Sequence, residues 1–537
     1  MIKWVLRVVG VIFVIIPVAA LGLSYMKAYS NPYGDADFSD VEVPRFTEVA
    51  FPFTHQFDKN NSLPFLGSAI IDIDGDGKPE VFMGGGYNQP DMVLAFEDGA
   101  FVDVSSTKGK GLSKDANDTT FGAAVIDVDG NGRSDIFIAR DSGITLYLNN
   151  ASGFEGKRLD IPFNTKSVPL SIALTDLNHD GHVDMFVSTY IKLAQVEGEN
   201  IFNKEGYGST SLLLLNNGDN TFADITAKAG MDYIHNTFVA VFSDIDRDGD
   251  QDLVVAYDTG QVGTWRNNGD LTFEAAPNPS SDRYGYPMGV GIGDYNNDGR
   301  MDFFFSNVSS TPPRFLAKGD LTEDQIFHTP LWLFRNDGEF RFTDVADETK
   351  TADYEFSWGV LLEDLNNDGR EDILIAQNYV ALPFEKLFRL PGRILLQMPD
   401  GTFGAAEDAT GLVNRNYEIS PLVADFNNDG YLDIVRVNLA GPSRAFLSGG
   451  GTNGFLKVRL PDTPASLGAV VEVGLPGGRK ISKQFTSGEG LASDQSHVLI
   501  FGLANAKSIE TVTVLYADGR MKRITPPPSV GKTLQIQ

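Results

Sequence analysis

The nine residues Asp72–Glu80, DIDGDGKPE, are the first of seven related stretches in this 537-residue chain. The copies, called loop one to loop seven below, begin at Asp72, Asp127, Asp176, Asp244, Asp294, Asp364 and Asp425. Each copy has Asp, Asn or Glu at positions 1, 3, 5 and 9 and Gly at position 6. A short apolar run precedes and follows every copy, which is typical of two strands joined by a tight acidic loop. The repeat is therefore predicted to be strand, acidic loop, strand.

A second element alternates with the acidic loops, namely a turn containing Asn or Gly followed by a segment that begins with Phe. NNGDNTFADIT, which ends at Thr226, is one example. Asn-Gly and Asp-Gly pairs between strands indicate hairpins. Each repeat thus supplies four short strands, which predicts an all-β chain. We expect a seven-bladed β-propeller over residues 45–450, followed by a small C-terminal β-domain.

The order of the two elements predicts that the propeller closes into a ring. Phe46–Val49 is a Phe-led segment that precedes loop one, whereas loop seven is followed by no such segment. The N-terminal strand should therefore complete the last blade and pair next to residues 434–447. The alternative is an open solenoid, whose two ends would need polar caps.

The oxygen-bearing side chains of each loop suggest a site for a hard cation such as Ca²⁺, which takes six to eight oxygen ligands. Asp and Asn are also common turn residues, but seven copies with the same four positions favour a metal site. Without a cation, the like charges on one turn would repel. An EF-hand is disfavoured because it needs Glu at position 12 and flanking helices. The predicted ligands are Asp72, Asp74, Asp76, Glu80, Asp127, Asp129, Asn131, Asp135, Asp176, Asn178, Asp180, Asp184, Asp244, Asp246, Asp248, Asp252, Asp294, Asn296, Asp298, Asp302, Asp364, Asn366, Asp368, Asp372, Asp425, Asn427, Asp429 and Asp433.

The repeats resemble a known family. Phe121-Gly122-Ala123-Ala124 before loop two, together with the seven acidic loops, is similar to the FG-GAP repeats of integrin α-subunit propellers and of bacterial VCBS-type proteins. The resemblance covers about 400 residues of sequence and implies up to seven Ca²⁺, one per blade. The Phe-Gly pair itself varies, since Trp358-Gly359 precedes loop six and Ile419-Ser420-Pro421 precedes loop seven.

The acidic loops stop near Asn453, and short alternating strands follow to residue 537. Gly468–Val473, Ser487–Gly490 and Phe501–Leu503 resemble the ASPIC/UnbV domain, which follows an FG-GAP propeller in the cartilage acidic protein family. The resemblance implies an extracellular accessory β-domain without an agreed chemistry. The family has His directly before Phe-Gly-Leu, whereas this chain has Ile500 there and His497 further back.

The N-terminus predicts export. Lys3 and Arg7 precede an uncharged run over residues 8–26, so residues 1–27 are a signal peptide or an N-terminal membrane anchor. Residues 28–44 have the composition of a linker. We therefore expect a protein that is anchored and faces the periplasm or exterior, or that is secreted if the segment is cleaved. Any contact with a membrane would be through this segment only. The chain contains no cysteine, so no disulfide stabilises it.

The negative net charge of the chain argues against some classes of partner and suggests a role for its acidic side chains. There are 72 acidic and 43 basic side chains, for a formal net charge of −29. Such a charge argues against binding nucleic acid or an anionic membrane surface. The predicted ligand positions hold 23 of the acidic side chains. Much of the excess is therefore predicted to serve metal binding and, through it, folding.

No catalytic residues are predicted. The chain lacks a Gly-x-Ser-x-Gly nucleophile motif, and its six His are scattered. Insertions at 191–210, 307–329 and 377–393 follow the second strand of their repeats, so we expect them on the face opposite the acidic loops, where they could bind a ligand. The leading hypothesis is a non-enzymatic, calcium-binding recognition or adhesion protein for an extracellular protein or glycan. The alternative is a propeller enzyme, a polysaccharide lyase or hydrolase.

Overall fold

The computed structural model describes residues 31–196, 208–309, 325–378 and 389–537. These residues form an all-β structure with very little helix, as predicted. The helical segments described are α1 (Leu193–Val196), α2 (Glu407–Thr410) and one 3₁₀ turn (Pro464–Ser466). None of the described helices is long and apolar enough to cross a membrane. The predicted signal or anchor segment 1–27 lies outside the described residues.

Within the described residues, the repeat region contributes four antiparallel strands to each of seven sheets, and the first sheet has a fifth, parallel strand from the C-terminal domain. In chain order its strands are β1 (Phe46–Val49), β2 (Ser68–Ile71), β3 (Glu80–Met83), β4 (Met92–Glu97), β5 (Ala100–Asp103), β6 (Thr120–Ile126), β7 (Asp135–Arg140), β8 (Gly143–Asn150), β9 (Gly153–Arg158), β10 (Ser167–Thr175), β11 (Asp184–Ile191), β12 (Leu212–Asn216), β13 (Phe222–Asp224), β14 (Thr237–Ser243), β15 (Asp252–Tyr257), β16 (Val262–Asn267), β17 (Phe273–Ala275), β18 (Arg283–Tyr284), β19 (Val290–Gly293), β20 (Asp302–Phe305), β21 (Ile326–Phe327), β22 (Trp332–Asn336), β23 (Phe342–Asp344), β24 (Ser357–Glu363), β25 (Asp372–Gln377), β26 (Arg393–Gln397), β27 (Phe403–Ala405), β28 (Tyr417–Ala424), β29 (Asp433–Ala440) and β30 (Arg444–Ser448). Strands β18 and β21 pair only with each other.

The first strand of each sheet lies on the inside of a ring. These inner strands are β2, β6, β10, β14, β19, β24 and β28; each contacts the next, and β28 contacts β2. They are buried along their length because neighbouring sheets cover them on both faces. Glycine permits the closest approach: a Cβ on Gly122 would lie 1.9 Å from the carbonyl oxygen of Leu170 on the next inner strand. The glycine of the Phe-Gly pair therefore has a packing role.

The N-terminal strand completes the last sheet, as the predicted ring closure requires. β1 pairs antiparallel with β30, with Phe46 opposite Ser448 and Val49 opposite Ala445. The sheet order is β1-β30-β29-β28. Together with the contact between β28 and β2, this pairing excludes an open solenoid and gives a propeller-like ring.

Residues 31–44, which fall in the predicted linker, form no strand and pack against the ring. Val41 is buried with the core of the last two sheets. The ring of Tyr33 lies 5.6 Å from that of Tyr354. The segment is therefore part of the folded domain along most of its length.

The C-terminal domain consists of two small sheets, β35-β31-β38 and β33-β32-β36-β37. Its strands are β31 (Gly454–Arg459), β32 (Val470–Gly474), β33 (Lys480–Gln484), β34 (Ser493–Asp494), β35 (Val498–Ala504), β36 (Thr511–Leu515), β37 (Met521–Arg523) and β38 (Lys532–Gln535). The domain lies on the end of the ring that carries the acidic loops. The backbone N–H of Asp127 donates to Asp462 O at 2.9 Å, and that of Ala504 donates to Asn367 O at 2.8 Å. One hydrophobic cluster spans the domain and the second and third sheets.

Residues 485–495, called the channel segment below, leave the C-terminal domain and enter the centre of the ring. β34 pairs in parallel with inner strand β2, and Gly490 forms a bridge with Val290 of β19. The N–H of Val125 donates to Asp494 Oδ2 at 2.7 Å, and Leu491 is fully buried among residues of the inner strands. The C-terminal domain thus fills one end of the channel, a role that the sequence patterns did not indicate.

Aromatic side chains fill the other end of the channel. Phe65 lies at 5.4 to 6.3 Å from the rings of Phe121, Tyr190 and Phe238, in edge-to-face geometry. All four side chains are buried. Apolar packing therefore fills the described part of this channel end.

The three predicted insertions are only partly described. The side chain of Tyr190, which borders the first of them, is buried, and its hydroxyl donates to Asp258 Oδ2 at 2.8 Å. Arg389 is exposed. The insertions contain further aromatic and basic residues that are predicted to bind a ligand but lie outside the described residues: Phe202, Tyr207, Arg314, Phe315, Tyr379, Phe384, Lys386 and Phe388. The prediction that they form a binding surface stays a prediction.

Candidate metal centres

The seven acidic loops occupy the same place in every sheet. Position 1 directly follows the inner strand, and position 9 is the first residue of the second strand. Because the inner strands run side by side around the ring, all seven loops lie at one end of it. That end is the one covered by the C-terminal domain.

Backbone hydrogen bonds give all seven loops the same tight shape. The N–H of the position 6 glycine donates to the position 1 carboxylate at 2.6 to 3.1 Å. The N–H of position 7 donates to the side-chain oxygen of position 5 at 2.8 to 3.0 Å. The glycine has φ between +77° and +100°, a region that residues with a Cβ rarely adopt. This accounts for the invariance of glycine within the repeats.

Position 9 has a structural role besides its predicted role as a ligand. One of its carboxylate oxygens accepts the N–H of position 2 at 2.9 to 3.1 Å in every loop. In loops two to seven its other oxygen accepts a backbone N–H from the third strand of the sheet, at 2.6 to 2.9 Å. In these six loops the position 9 carboxylate therefore joins the loop to the third strand of the sheet.

Carboxylate oxygens converge in three of the loops. Within the described residues, grouped oxygens lie within 4.8 Å of one another in loops one, two and four. The groups are Asp72, Asp74 and Glu80; Asp127, Asp129 and Asp135; and Asp244, Asp246 and Asp248. The other predicted carboxylate ligands of these loops, Asp76 and Asp252, are not in the groups.

In loops three, five, six and seven, position 3 is Asn rather than Asp. Its amide nitrogen donates to the position 5 carboxylate at 2.9 to 3.1 Å. Its amide oxygen accepts the N–H of position 5 at 3.0 to 3.3 Å. The amide thus reduces the repulsion between carboxylates, and its oxygen lies within the same turn as the position 1 and position 5 oxygens.

The position 9 acidic side chains are held in surroundings that disfavour their negative charge. Burial raises the pKa of the position 9 carboxyls, to about 7 for Asp135 and Asp184 and to about 8 for Asp252 and Asp433. The neighbouring carboxylates of the same loop raise it further. A divalent cation among these oxygens would offset both effects, because it supplies the opposite charge.

At two of the predicted ligand positions, buried carboxylate oxygens accept no hydrogen bond. They are Oδ1 of Asp72 in loop one and both carboxylate oxygens of Asp246 in loop four. The Arg266 guanidinium contacts Asp246 Oδ2 closely but without hydrogen-bond geometry. Buried carboxylate oxygens without donors are the ligands that a hard cation takes. The residues present therefore fit Ca²⁺.

Side chains outside the predicted set connect neighbouring loops. Asn149, whose N–H binds Asp135, also donates its side-chain N–H to the carbonyl oxygen of Ile73 in loop one, at 2.7 Å. The side-chain N–H of Gln397 donates to the carbonyl oxygen of Tyr295 in loop five at 2.9 Å. The sequence does contain a sign of these contacts, because Asn recurs at the end of the third strand. This Asn lies next to Asn-Gly turns, however, and such turns indicate only a hairpin. Asn336 likewise donates to the carbonyl oxygen of Ile245 in loop four at 3.5 Å, whereas Asn216 and Asn267 donate to Val183 and Gln251 of their own loops.

Known protein families match the repeats and the C-terminal domain. Residues 72–138, 127–187 and 244–305 match the FG-GAP-like repeat. Residues 461–537 match the domain described as ASPIC and UnbV. The chain contains FG-GAP-like repeats and an ASPIC/UnbV domain. The family resemblance drawn from the acidic loops and the C-terminal segments is thereby confirmed.

Two curated proteins are similar to this chain over most of its length. Cartilage acidic protein 1 of Xenopus tropicalis is 24% identical over 520 residues, which covers 91% of this chain and 75% of that protein. Cartilage acidic protein 1 of Homo sapiens is 24% identical over 509 residues, covering 89% of this chain and 73% of that protein. The solved structure "YCF48 bound to D1 peptide" has a TM-score of 0.44 at 9% identity, over 78% of this chain and 99% of that one.

Basic side chains of the ASPIC/UnbV domain point at the FG-GAP loops. Arg459 donates to the carbonyl oxygen of Gly77 in loop one at 2.5 Å, and Arg479 donates to that of Asp368 in loop six at 2.6 Å. Lys457 donates to Asn428 Oδ1 at 2.7 Å and contacts the Asp425 carboxylate. The interface therefore pairs a basic surface of the domain with the acidic end of the ring.

His497 is a further charged group at this interface. Its Nδ1 lies 2.6 Å from Asp462 Oδ1, and its Nε2 lies 3.9 Å from Asp494 Oδ2. The other oxygen of Asp462 accepts a hydrogen bond from Ser134 Oγ at 2.5 Å. Burial alone would lower the pKa of His497, but the two carboxylates outweigh it and raise the pKa to about 8.

We expect the contribution of His497 to stability to disappear in mild alkali. Its pKa is about 8 in the folded chain and about 6.5 when unfolded, so the stabilisation is complete below pH 6.5 and is lost as the pH rises through 8. In excess calcium, His497→Asn should therefore unfold at a lower urea concentration than the unmodified chain at pH 6 and at the same concentration at pH 9. If the urea midpoints of His497→Asn and the unmodified chain differ equally at pH 6 and pH 9, the stabilising role of the charged imidazole is contradicted.

Proposed function

We propose that this chain is an exported, calcium-binding recognition protein that binds a protein or glycan ligand. It would hold up to seven Ca²⁺, at most one in each acidic loop. The calcium proposal is carried by the turn that all seven loops share, together with the converging carboxylate oxygens of loops one, two and four and the buried carboxylate of Asp246, which accepts no hydrogen bond. The ions would stabilise the folded state because they bind it and not the unfolded chain.

Ligand binding is proposed for the end of the ring opposite the acidic loops, because the ASPIC/UnbV domain covers the loop end. A groove of about 550 Å³ lies on this opposite end, where β1 pairs with β30. Arg415, Asn416 and Arg444 line it together with Glu48. Side chains that donate and accept hydrogen bonds in a concave surface suit peptide or sugar hydroxyl groups.

Binding is proposed rather than catalysis. The channel end on this face is filled by Phe65 and the buried aromatic rings around it. Arg444 holds Glu48 in a two-point ion pair, with distances of 2.8 and 2.7 Å, so this carboxylate has a structural partner. The groove has no pair of carboxylates arranged for glycoside cleavage among its described lining residues.

The test is a binding screen of residues 31–537 against arrays of glycans and extracellular proteins, with calcium and with EDTA. We expect retention of a defined ligand class in calcium, and its loss when Arg415→Glu reverses the charge of the groove. Arg523→Glu, an exposed change on the C-terminal domain, is the matched control and should bind normally. Cleavage of a retained polysaccharide would replace this proposal with the enzyme alternative.

A further inference from the structure

Loop one differs from the other six at its position 9. This position is Glu80, whereas loops two to seven have Asp there. In those six loops the second carboxylate oxygen accepts a backbone N–H from the third strand. In loop one the corresponding oxygen, Glu80 Oε1, instead accepts a hydrogen bond from Lys108 Nζ at 2.5 Å. A side-chain cation thus replaces a neutral backbone donor.

Lys108 reaches two of the predicted ligand positions at once. Its Nζ lies 2.8 Å from Asp74 Oδ2 and 2.5 Å from Glu80 Oε1. These two side chains belong to the group of oxygens that lie within 4.8 Å of one another in loop one. The ammonium therefore bridges positions 3 and 9, which a bound cation would also have to bridge.

The place of Lys108 in the repeat is held by an uncharged residue in five other sheets. Val104 is equivalent to Leu159, Ile225, Ala276, Val345 and Ala406, because each donates its N–H to a carbonyl oxygen of the third strand. Four residues further along the chain come Lys108, Phe163, Ala229, Ser280, Thr349 and Thr410. Phe163 is partly buried and the last four are buried. A lysine at this position, beside a longer acidic side chain at position 9, is thus particular to the first sheet among these six.

We propose that Lys108 is the resident cation of loop one and takes the place of its Ca²⁺. The ammonium offsets part of the charge of Asp74 and Glu80, and Ca²⁺ would have to displace it to gain both oxygens. Oδ1 of Asp72 accepts no hydrogen bond, so an oxygen ligand is available once the ammonium is removed. The inference rests on the proposed binding of calcium by the other loops.

A similar contact in loop four is weaker. Arg266 contacts Asp246 Oδ2 and lies 3.7 Å from Asp248 Oδ2, but its side chain is 43% exposed against 23% for Lys108. The guanidinium can turn into solvent without leaving a buried charge unpaired, and exposed ion pairs contribute little. We therefore assign a resident cation to loop one and not to loop four.

The test counts calcium in the full chain and in two Lys108 variants. Each protein is dialysed against calcium-containing buffer, and bound Ca²⁺ per chain is measured by elemental analysis and native mass spectrometry. Lys108→Gln should bind one more Ca²⁺ than the unmodified chain. Lys108→Ala should show the same gain of one Ca²⁺. It introduces the residue type that the third sheet has at the equivalent position, Ala229, and it replaces the first variant in the test if Lys108→Gln folds poorly.

Two control variants separate position from charge. Lys78→Gln removes the same charge from an exposed side chain of loop one and should leave the calcium count unchanged. Lys108→Arg keeps a cation at the position and should also leave it unchanged. Equal, non-zero counts for the unmodified chain and both Lys108 variants would overturn the inference, as would a gain in Lys78→Gln. If no variant binds calcium, the proposed calcium binding fails as well.

Discussion

Removal of calcium is expected to lower the thermal unfolding midpoint of this protein by about 10 °C or more. A site filled at a hundred times its Kd stabilises the folded state by about 2.7 kcal/mol, and several sites add. For a chain of this length each kcal/mol shifts the midpoint by roughly 1 °C. The loss of stability should be large because the loops contain buried acids. Burial and neighbouring carboxylates raise the pKa values of Asp364 and Asp372 well above the ordinary range. Removal of Ca²⁺ would leave these carboxylates without a divalent cation to offset their charge.

The measurement is differential scanning calorimetry in calcium, in EDTA and in EDTA saturated beforehand with calcium. The pre-saturated chelator controls for effects of the chelator itself and should leave the midpoint where calcium alone places it. Magnesium added after EDTA should restore less stability, because it prefers a rigid octahedral site and retains its water. An unchanged midpoint in excess EDTA would contradict the stabilising role of the ions.

Disruption of the channel segment is the second large effect expected. Leu491 is fully buried among side chains of the inner strands, so Leu491→Ala should cost about 2–5 kcal/mol through lost burial and the cavity left behind. Removal of residues 453–537 should do more, because it also uncovers the hydrophobic cluster shared with the second and third sheets. We expect the truncated chain to aggregate or to lose its cooperative unfolding transition.

Urea unfolding in excess calcium measures the effect of the point substitution. Leu515→Ala is the matched control, since this leucine lies in the same domain but is 41% exposed, and its change should stay within about 0.5 kcal/mol. If Leu491→Ala unfolds like Leu515→Ala, the channel segment does not hold the domain and the ring together.

The repetition of the chain explains why much of the fold was predictable. Seven copies of one pattern reveal which positions matter, because the oxygen residues and the position 6 glycine recur while their neighbours vary. The count of acidic loops against Phe-led segments also predicted that Phe46–Val49 would pair beside the last repeat, as it does with β30. Local patterns and their order along the chain were enough for these features.

The features that were missed depend on contacts without a repeating pattern. Asp494 binds Val125 across 369 residues of sequence, and Gly490 pairs with Val290. No periodicity marks such a contact, so the C-terminal segment suggested only an accessory domain. The contact of Lys108 with Glu80 was missed for a similar reason. A single lysine in a turn is expected to be exposed to solvent, and only the folded structure shows its distance to Glu80.

Position 9 illustrates a limit of reading ligands from spacing alone. Its carboxylate was predicted only to bind metal, but Asp302 also accepts the N–H groups of Tyr295 and Asn336, at 3.1 and 2.8 Å. The spacing of acids reveals which side chains share a loop, while the hydrogen bonds they make to distant strands depend on the folded sheet. The 23 acids of the loops thus contribute both to the predicted metal sites and to the strand connections.

The central claim is that the acidic loops of the folded chain bind calcium, and a direct titration tests it. Residues 31–537, freed of metal and then dialysed, are titrated with Ca²⁺ in a calorimeter, and the bound ions are counted independently by elemental analysis. We predict several Ca²⁺ per chain, with one fewer in Asp246→Ala and no change in the exposed control Lys78→Gln. A titration without binding heat, together with a calcium content equal to that of the dialysis buffer, would contradict the account.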